Sequence, residues 1–172
     1  MKLVISFPAG TRFNLSTPLV TPCRLTDKQL TTPFGPVCPR RSQIGGGTAV
    51  ANASPLQQAV NTGLKAYVGG DGPVILVFTP SLPGTSPIVI HAIASGSRLT
   101  LPIPHLTLGR GRHFAGIEAV FVSLTLHVPA LGHGRDSLIT AGRCTAHHFV
   151  VTSRFLYRDH SSLDLRTASS CT

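Results

Sequence analysis

The 172-residue chain has no Trp, one Met, two Tyr, one Glu and only six acidic residues in all. Charged residues make up 12% of it, and no apolar run exceeds Val74 to Phe78. Each shortage excludes something. A membrane-spanning helix needs ~20 consecutive apolar residues, and a coiled coil needs abundant Glu, Lys and Leu in heptads. Neither is present. With one Glu and five Asp, the paired carboxylates of acid–base catalysis are scarce. There is no Cys-x-x-Cys pair for a zinc site, no Gly-x-Ser-x-Gly nucleophile elbow and no Gly-x4-Gly-Lys-Ser/Thr phosphate loop. Aromatic residues are 6% and do not interleave with the arginines, so the stacking platform of a single-strand nucleic-acid binder is missing.

What remains is 42% hydrophobic residues punctuated by 17 Gly and 14 Pro, the composition of a compact, turn-rich unit. A chain this long makes one domain, residues 1–172, which can bury roughly 70% of its unfolded surface. Helical periodicity is almost absent, whereas short β-branched and aromatic runs recur between Gly and Pro. Strands are predicted at Lys2 to Phe7, Thr48 to Ala53, Gly63 to Val68, Val74 to Thr79, Ile88 to Ile93 and Arg98 to Leu101. Two longer ones follow, Gly116 to Val128 and His147 to Tyr157, and then Ser162 to Arg166. In the first long strand Val120, Val122, Leu124, Leu126 and Val128 share one side. In the second, Phe149, Val151, Phe155 and Tyr157 oppose His148, Thr152, Arg154 and Arg158. One face is wet. Two such antiparallel sheets stacked face to face give the expected fold, an all-β antiparallel sandwich.

Arg158-Asp159-His160 breaks the last alternating stretch, so the two final strands form a hairpin. One helical turn is expected at Asp27 to Leu30, with Thr26 capping its free amides and Asp27 at the positive end of its dipole. Ser42 to Gly47 and Pro80 to Pro87 are expected as connections.

Fifteen Lys plus Arg against six acids give a net charge of +9, which favours an anionic partner: a cell-wall polymer, a membrane surface or, less suitably, nucleic acid. The basic residues are spread from Lys2 to Arg166 without a run. The four cysteines form two sequence-local couples, Cys23 with Cys38 among turn residues and Cys144 with Cys171 just outside the two ends of the hairpin. Both are expected as disulfides, which places the chain in an oxidising compartment. An exported protein begins with a basic segment, ~7 to 15 apolar residues and a small-residue cleavage site. Met1 to Pro8 instead alternates as a strand does. The expectation is therefore that Met1 is an internal or late start, with a signal segment and a first strand upstream.

Several segments together carry a family resemblance: Phe7-Pro8-Ala9-Gly10-Thr11-Arg12-Phe13-Asn14, Cys23 with Thr26-Asp27-Lys28-Gln29-Leu30, and Cys38-Pro39 with Ser42-Gln43-Ile44-Gly45-Gly46-Gly47-Thr48-Ala49. Ala141-Gly142-Arg143-Cys144, the strand through Phe149 to Tyr157 and Ser169-Ser170-Cys171 complete it. The chain resembles exported, mostly uncharacterised, single-domain β-rich proteins of high-GC Gram-positive bacteria. That resemblance implies extracytoplasmic location, paired cysteines and a missing start. It implies no activity.

Four constellations invite chemistry. Gly45-Gly46-Gly47-Thr48 has no Lys within it and is better explained by positive φ or close backbone approach than by phosphate. Arg110 and Arg112, in Gly109-Arg110-Gly111-Arg112-His113, could present two guanidinium forks to an anion, or simply form a polar hairpin tip. Asp159-His160-Ser161 spells a triad, but neighbours on an extended chain point in alternate directions, so it is read as turn chemistry. His147 and His148 are expected on opposite faces of a strand. His91, His105, His113, His127 and His133 have no ligand spacing, so neither a metal nor another cofactor is expected. The function expected is a non-catalytic secreted or envelope-associated structural or binding module. The alternatives are a hydrolase assembling Ser, His and Asp from separate strands, and a weak binder of nucleic acid or another anionic polymer.

Overall fold

The computed structural model describes residues 1–54, 58–70, 72–82, 85–104, 106–107, 118–129, 136–144 and 147–170. In chain order the elements are β1 (Lys2–Ser6), β2 (Arg12–Phe13), α1 (Asp27–Leu30), a 3-10 turn (Arg40–Ser42), β3 (Gln43–Ser54), β4 (Gln58–Val68), β5 (Val74–Pro80), β6 (Ile88–Ser95) and β7 (Arg98–Pro102). Then come β8 (Leu106–Thr107), β9 (Glu118–His127), β10 (Ile139–Thr140), β11 (His148–Leu156) and β12 (Ser162–Ser170). Ten strands form one antiparallel sheet in the order β12-β11-β1-β7-β6-β5-β4-β3-β9-β8, and β2 pairs with β10 separately.

The expected sandwich is corrected by this topology: the sheet is continuous and strongly curled, a half-barrel. Connectivity demands the curl. β7 and β8 are six positions apart in the sheet, about 29 Å if it were flat. Only three residues separate Pro102 from Leu106, a reach of about 14 Å. The sheet must bend to bring its β8 rim back toward β7.

Bending gives the sheet an inside. Opposed residues share a face, so the register defines inner rows. One runs Leu126, Gly47, Leu64, Phe78, Ile88 across β9, β3, β4, β5 and β6. On the other wall Leu101, Leu3, Phe155 and Leu163 form a row across β7, β1, β11 and β12. Phe78, Leu76, Ile90, Leu3 and Leu101 are all buried in one cluster. Leu138, beside β10, is buried in the same cluster and so joins the β2/β10 pair to the core, and the pair is extended at its two ends by Asn14 N donating to Leu138 O and by Gly142 N donating to Thr11 Oγ1. Phe7 packs edge-on against Phe13 with ring centroids 5.3 Å apart.

The Cys23–Cys38 bridge forms as expected, with Cα atoms 5.3 Å apart. It belongs to a second buried cluster on the outer face of β4 and β5, with Leu30, Tyr67 and Ile75. Burial pushes the Tyr67 hydroxyl pKa up. Within that segment Thr26 caps α1 as predicted, in a full capping box: its Oγ1 accepts from Gln29 N while its own N–H donates to Gln29 Oε1. Cys144 is disulfide-bonded as well, while Cys171 lies outside the described residues, so Cys23–Cys38 is the bridge whose two ends are both described.

Two further expectations are corrected. Of Ser42 to Gly47, expected as a connection, Gln43 to Gly47 is strand: it joins the ladder to β4 from Gln43 and that to β9 from Gly46, and Gly45 and Gly47 admit β9, whose backbone a Cβ at either would strike. His147 precedes β11 with a positive φ of 61°, so it does not alternate with His148 along a strand. The first long strand is described from Glu118, residues 116 and 117 lying outside the described set.

Candidate functional site

The inner rows do not meet everywhere. Between the β9 side and the β11/β12 side the half-barrel keeps a cavity of about 370 Å³. Its walls come from seven parts of the fold: Leu3 and Ile5 of β1, Phe78, Ile90, Leu101 with Ile103, Val122 to Leu124 of β9, Ser153 and Phe155 of β11, and Leu165 of β12. Ser123 and Ser153 are its polar members, and no described charged side chain lines it. Its rim is apolar and wet: Val122 is 62% exposed and Leu165 50%. A register shift between Val50 and Ala51 interrupts the β3/β9 ladder opposite Val122, where the strand departs from simple alternation. The size falls at the small end of the ~300 to 1,000 Å³ of small-molecule sites, and the lining is of their usual kind.

A second cleft lies on the outer face. His91, opposite Ile75 in the β5/β6 ladder, faces Asp27 of α1, with Nε2 and Oδ1 2.8 Å apart. Both side chains are largely solvated. The cleft is completed by Arg24, Leu25, Gly69, Gly70 and Pro73, with Thr26 engaged as the helix cap and Cys23 in its bridge. No serine lines it among the described residues.

A third surface is electrostatic. On the outer side of β7, β1, β11 and β12 the register aligns Arg98, Ser6, Thr152 and Arg166, then Thr100, Val4, Arg154 and Asp164, with Lys2 in the row beyond. Four basic residues share this panel with one acid. Arg154 Nε and Nη2 donate to Asp164 Oδ1 and Oδ2, both at 2.7 Å, a bidentate fork. The remaining described cations lie elsewhere: Arg12 and Arg143 line a cleft beside β2 and β10, Arg24, Lys28, Arg40 and Arg41 belong to the disulfide segment and its flank, Lys65 is on β4, and Arg158 is in the turn between β11 and β12. The described arginines are thus not gathered on one face, the arrangement a nucleic-acid binder would use.

Asp159-His160-Ser161 is turn chemistry, as its sequence suggested. Asp159 Oδ1 accepts from Ser161 N at 3.0 Å and Oγ at 2.6 Å, Tyr157 N donates to Ser161 O, and His160 has a φ of 65°. The hydrogen bond from Ser161 holds the Asp159 carboxyl below its usual pKa, and that from Arg154 does the same for Asp164. Folded pKa values below the unfolded value mean that this contribution to hairpin stability is complete above the ordinary value of about 3.9 and is lost as pH falls through the lower folded values. NMR titration of the two carboxyls should give midpoints below about 3.9; an Asp164 midpoint at or above that value would contradict the paired geometry.

Arg110, Arg112, His105, His113 and His133 lie outside the described residues. His91 and His127 are on separate strands, and no group of three metal-ligating side chains occurs among the described residues. Gly45 and Gly47 lie against backbone carbonyls of β9, and Gly46 against that of Leu64 in β4. The cavity itself went unread in the sequence. Its signal there is slight: a serine, Ser153, inside the apolar row of β11, and small residues Gly45, Gly47, Ala49 and Ala66 on the inner side of β3 and β4. Compared with protein-family models, curated proteins and solved structures, the chain matches none.

Proposed function

We propose that the protein is a non-catalytic, exported binding module of the cell envelope or its surroundings, and that its half-barrel holds an apolar ligand. The observation carrying this reading is the uncharged cavity with an exposed apolar rim. Apolar atoms leaving water are stabilised by ~0.8 kcal/mol per buried CH2 whatever their exact shape, so such a lining suits a hydrocarbon chain or ring. The buried disulfide supports an oxidising location. The basic panel of Lys2, Arg98 and Arg166 supports contact with an anionic membrane or wall surface, from which such a ligand could be drawn.

A polyene fatty acid whose fluorescence rises in apolar surroundings serves as the probe. The protein should bind it saturably, and Ser153→Phe, which fills the cavity from β11, should weaken binding at least tenfold, about 1.4 kcal/mol. Pick-up of the probe from anionic vesicles should slow between ~0.1 and ~1 M salt as screening shortens from ~10 to ~3 Å. Equal binding by both proteins, or none by either, would refute the reading.

A further inference from the structure

Among the described residues, β12 is a terminal strand of the sheet, hydrogen-bonded to β11 on one side, and all nine of its residues are exposed. A strand this long with a free row of N–H and C=O groups is a template for another strand, and natural sheets usually blunt such an edge with a proline, a bulge, a covering loop or charged side chains; the charges of β12, Asp164 and Arg166, are of opposite sign and can pair across a seam. Ser162–Ser170 contains no proline and pairs with β11 without a register shift. Its alternate residues Leu163 and Leu165 are apolar and about half exposed.

We infer that β12 pairs antiparallel with β12 of a second copy of this chain, about a two-fold axis through Leu165. The choice of partner rests on charge. A two-fold axis normal to the sheet keeps both copies' inner faces on the same side, and it must pass through one residue, which then lies opposite its own copy. An axis at Asp164 or Arg166 sets like charges directly against each other, which is destabilising. Centred on Leu165, it sets Asp164 opposite Arg166 of the other copy, and does so twice. Each acid then sits between Arg154 of its own chain, already in a bidentate contact, and the guanidinium across the seam. Arg166 lies opposite Thr152 on β11, which offers no charge of its own. The same register pairs residues 162 to 168 and places the two Leu165 side chains against each other on the inner face. It converts two half-barrel edges into one continuous sheet. The inference does not depend on the cavity's ligand, and its test uses ligand-free protein.

Sedimentation velocity over a concentration series should show a monomer–dimer equilibrium. Arg166→Asp sets Asp164 against an acid across the seam and should weaken dimerisation about tenfold or more. A variant with Arg154→Asp and Asp164→Arg keeps its intrachain pair, reversed, but sets two cations across the seam and should weaken likewise. Mixing the two variants restores opposite charges at both contacts, so a heterodimer near wild-type affinity is expected. Wild-type protein that is monomeric up to ~1 mM, single species that dimerise as tightly as wild type, or a mixture of folded variants that stays apart would each overturn the inference. So would stable pairing of β12 with a different protein in preference to its own copy.

Discussion

Removing both sulfurs of the buried bridge, as Cys23→Ala with Cys38→Ala, should lower the unfolding free energy by about 3 kcal/mol. The two cysteines are 15 residues apart, and cross-linking them removes loop-closure freedom from the unfolded chain. For a loop of this length the entropic loss is worth about 3 kcal/mol when the native geometry accepts the bridge. Here it does: the Cα separation lies within the ordinary range, and the two residues are 1% and 5% exposed. Against a typical total of 5 to 15 kcal/mol, that is a fifth or more of the fold's stability. It corresponds to a fall in Tm of roughly 6 to 12 °C for a domain of this size.

The location of the bridge sharpens the expectation. Residues 23 to 38 are not an independent lobe; with α1 they cover Tyr67 and Ile75 on the outside of β4 and β5. Cys23 N also donates to Val68 O at 2.7 Å, tying the segment to the end of β4. Loss of the bridge therefore loosens the cover over two central strands as well as lengthening the unfolded chain. Urea denaturation should show a lower midpoint and a steeper slope, because the uncrosslinked unfolded state exposes more surface. A double variant within 1 kcal/mol of the wild type would show that the bridge is incidental to the fold.

Local structure was legible in the sequence to the extent that its causes are local. An unbroken apolar run at Val74 to Phe78 and alternation along Phe149 to Tyr157 mark strands, and Thr26 with Gln29 marks a helix start; these signals act within a few residues. Architecture was less legible. A wet face and a dry face require that the dry face be covered, but not by what: a second sheet and the far wall of the same sheet satisfy an alternating strand equally. The deciding constraint is the three-residue span between β7 and β8, which has force only once strand order is known. The cavity was hidden for a related reason. Ile5, Val122 and Leu165 come from β1, β9 and β12, and nothing along the chain shows that their strands curve to face one another. The short β2, β8 and β10 also escaped the sequence reading, since two residues cannot display a period.

Gly47→Ala is expected to cost about 3 kcal/mol or more, the upper range for overpacking a strand contact. Gly47 has neither a turn to make nor a positive φ to adopt; its role is distance. A Cβ built there would overlap the carbonyl oxygen of Thr125, with the carbonyl carbon at 2.9 Å and Leu126 Cα at 3.1 Å. All three are backbone atoms, which cannot rotate aside as a side-chain tip can. β9 would have to move away from β3, along a ladder that runs from Gly46 opposite His127 to Ser54 opposite Glu118. Gly63→Ala in β4 is the internal control, because a Cβ there meets only Thr79 O, at an ordinary 3.8 Å. That substitution should be neutral or stabilising by up to about 1 kcal/mol, since alanine restricts the unfolded chain more than glycine does. Since β9 also carries Val122 and Leu124 to the cavity, any Gly47→Ala protein that still folds should lose affinity for the fatty-acid probe, whereas Gly63→Ala should keep it. Thermal unfolding of the two variants side by side decides the matter: equal stabilities would mean that β9 can draw back from β3 without cost, and that the close approach of these strands does not hold the wall of the cavity in place.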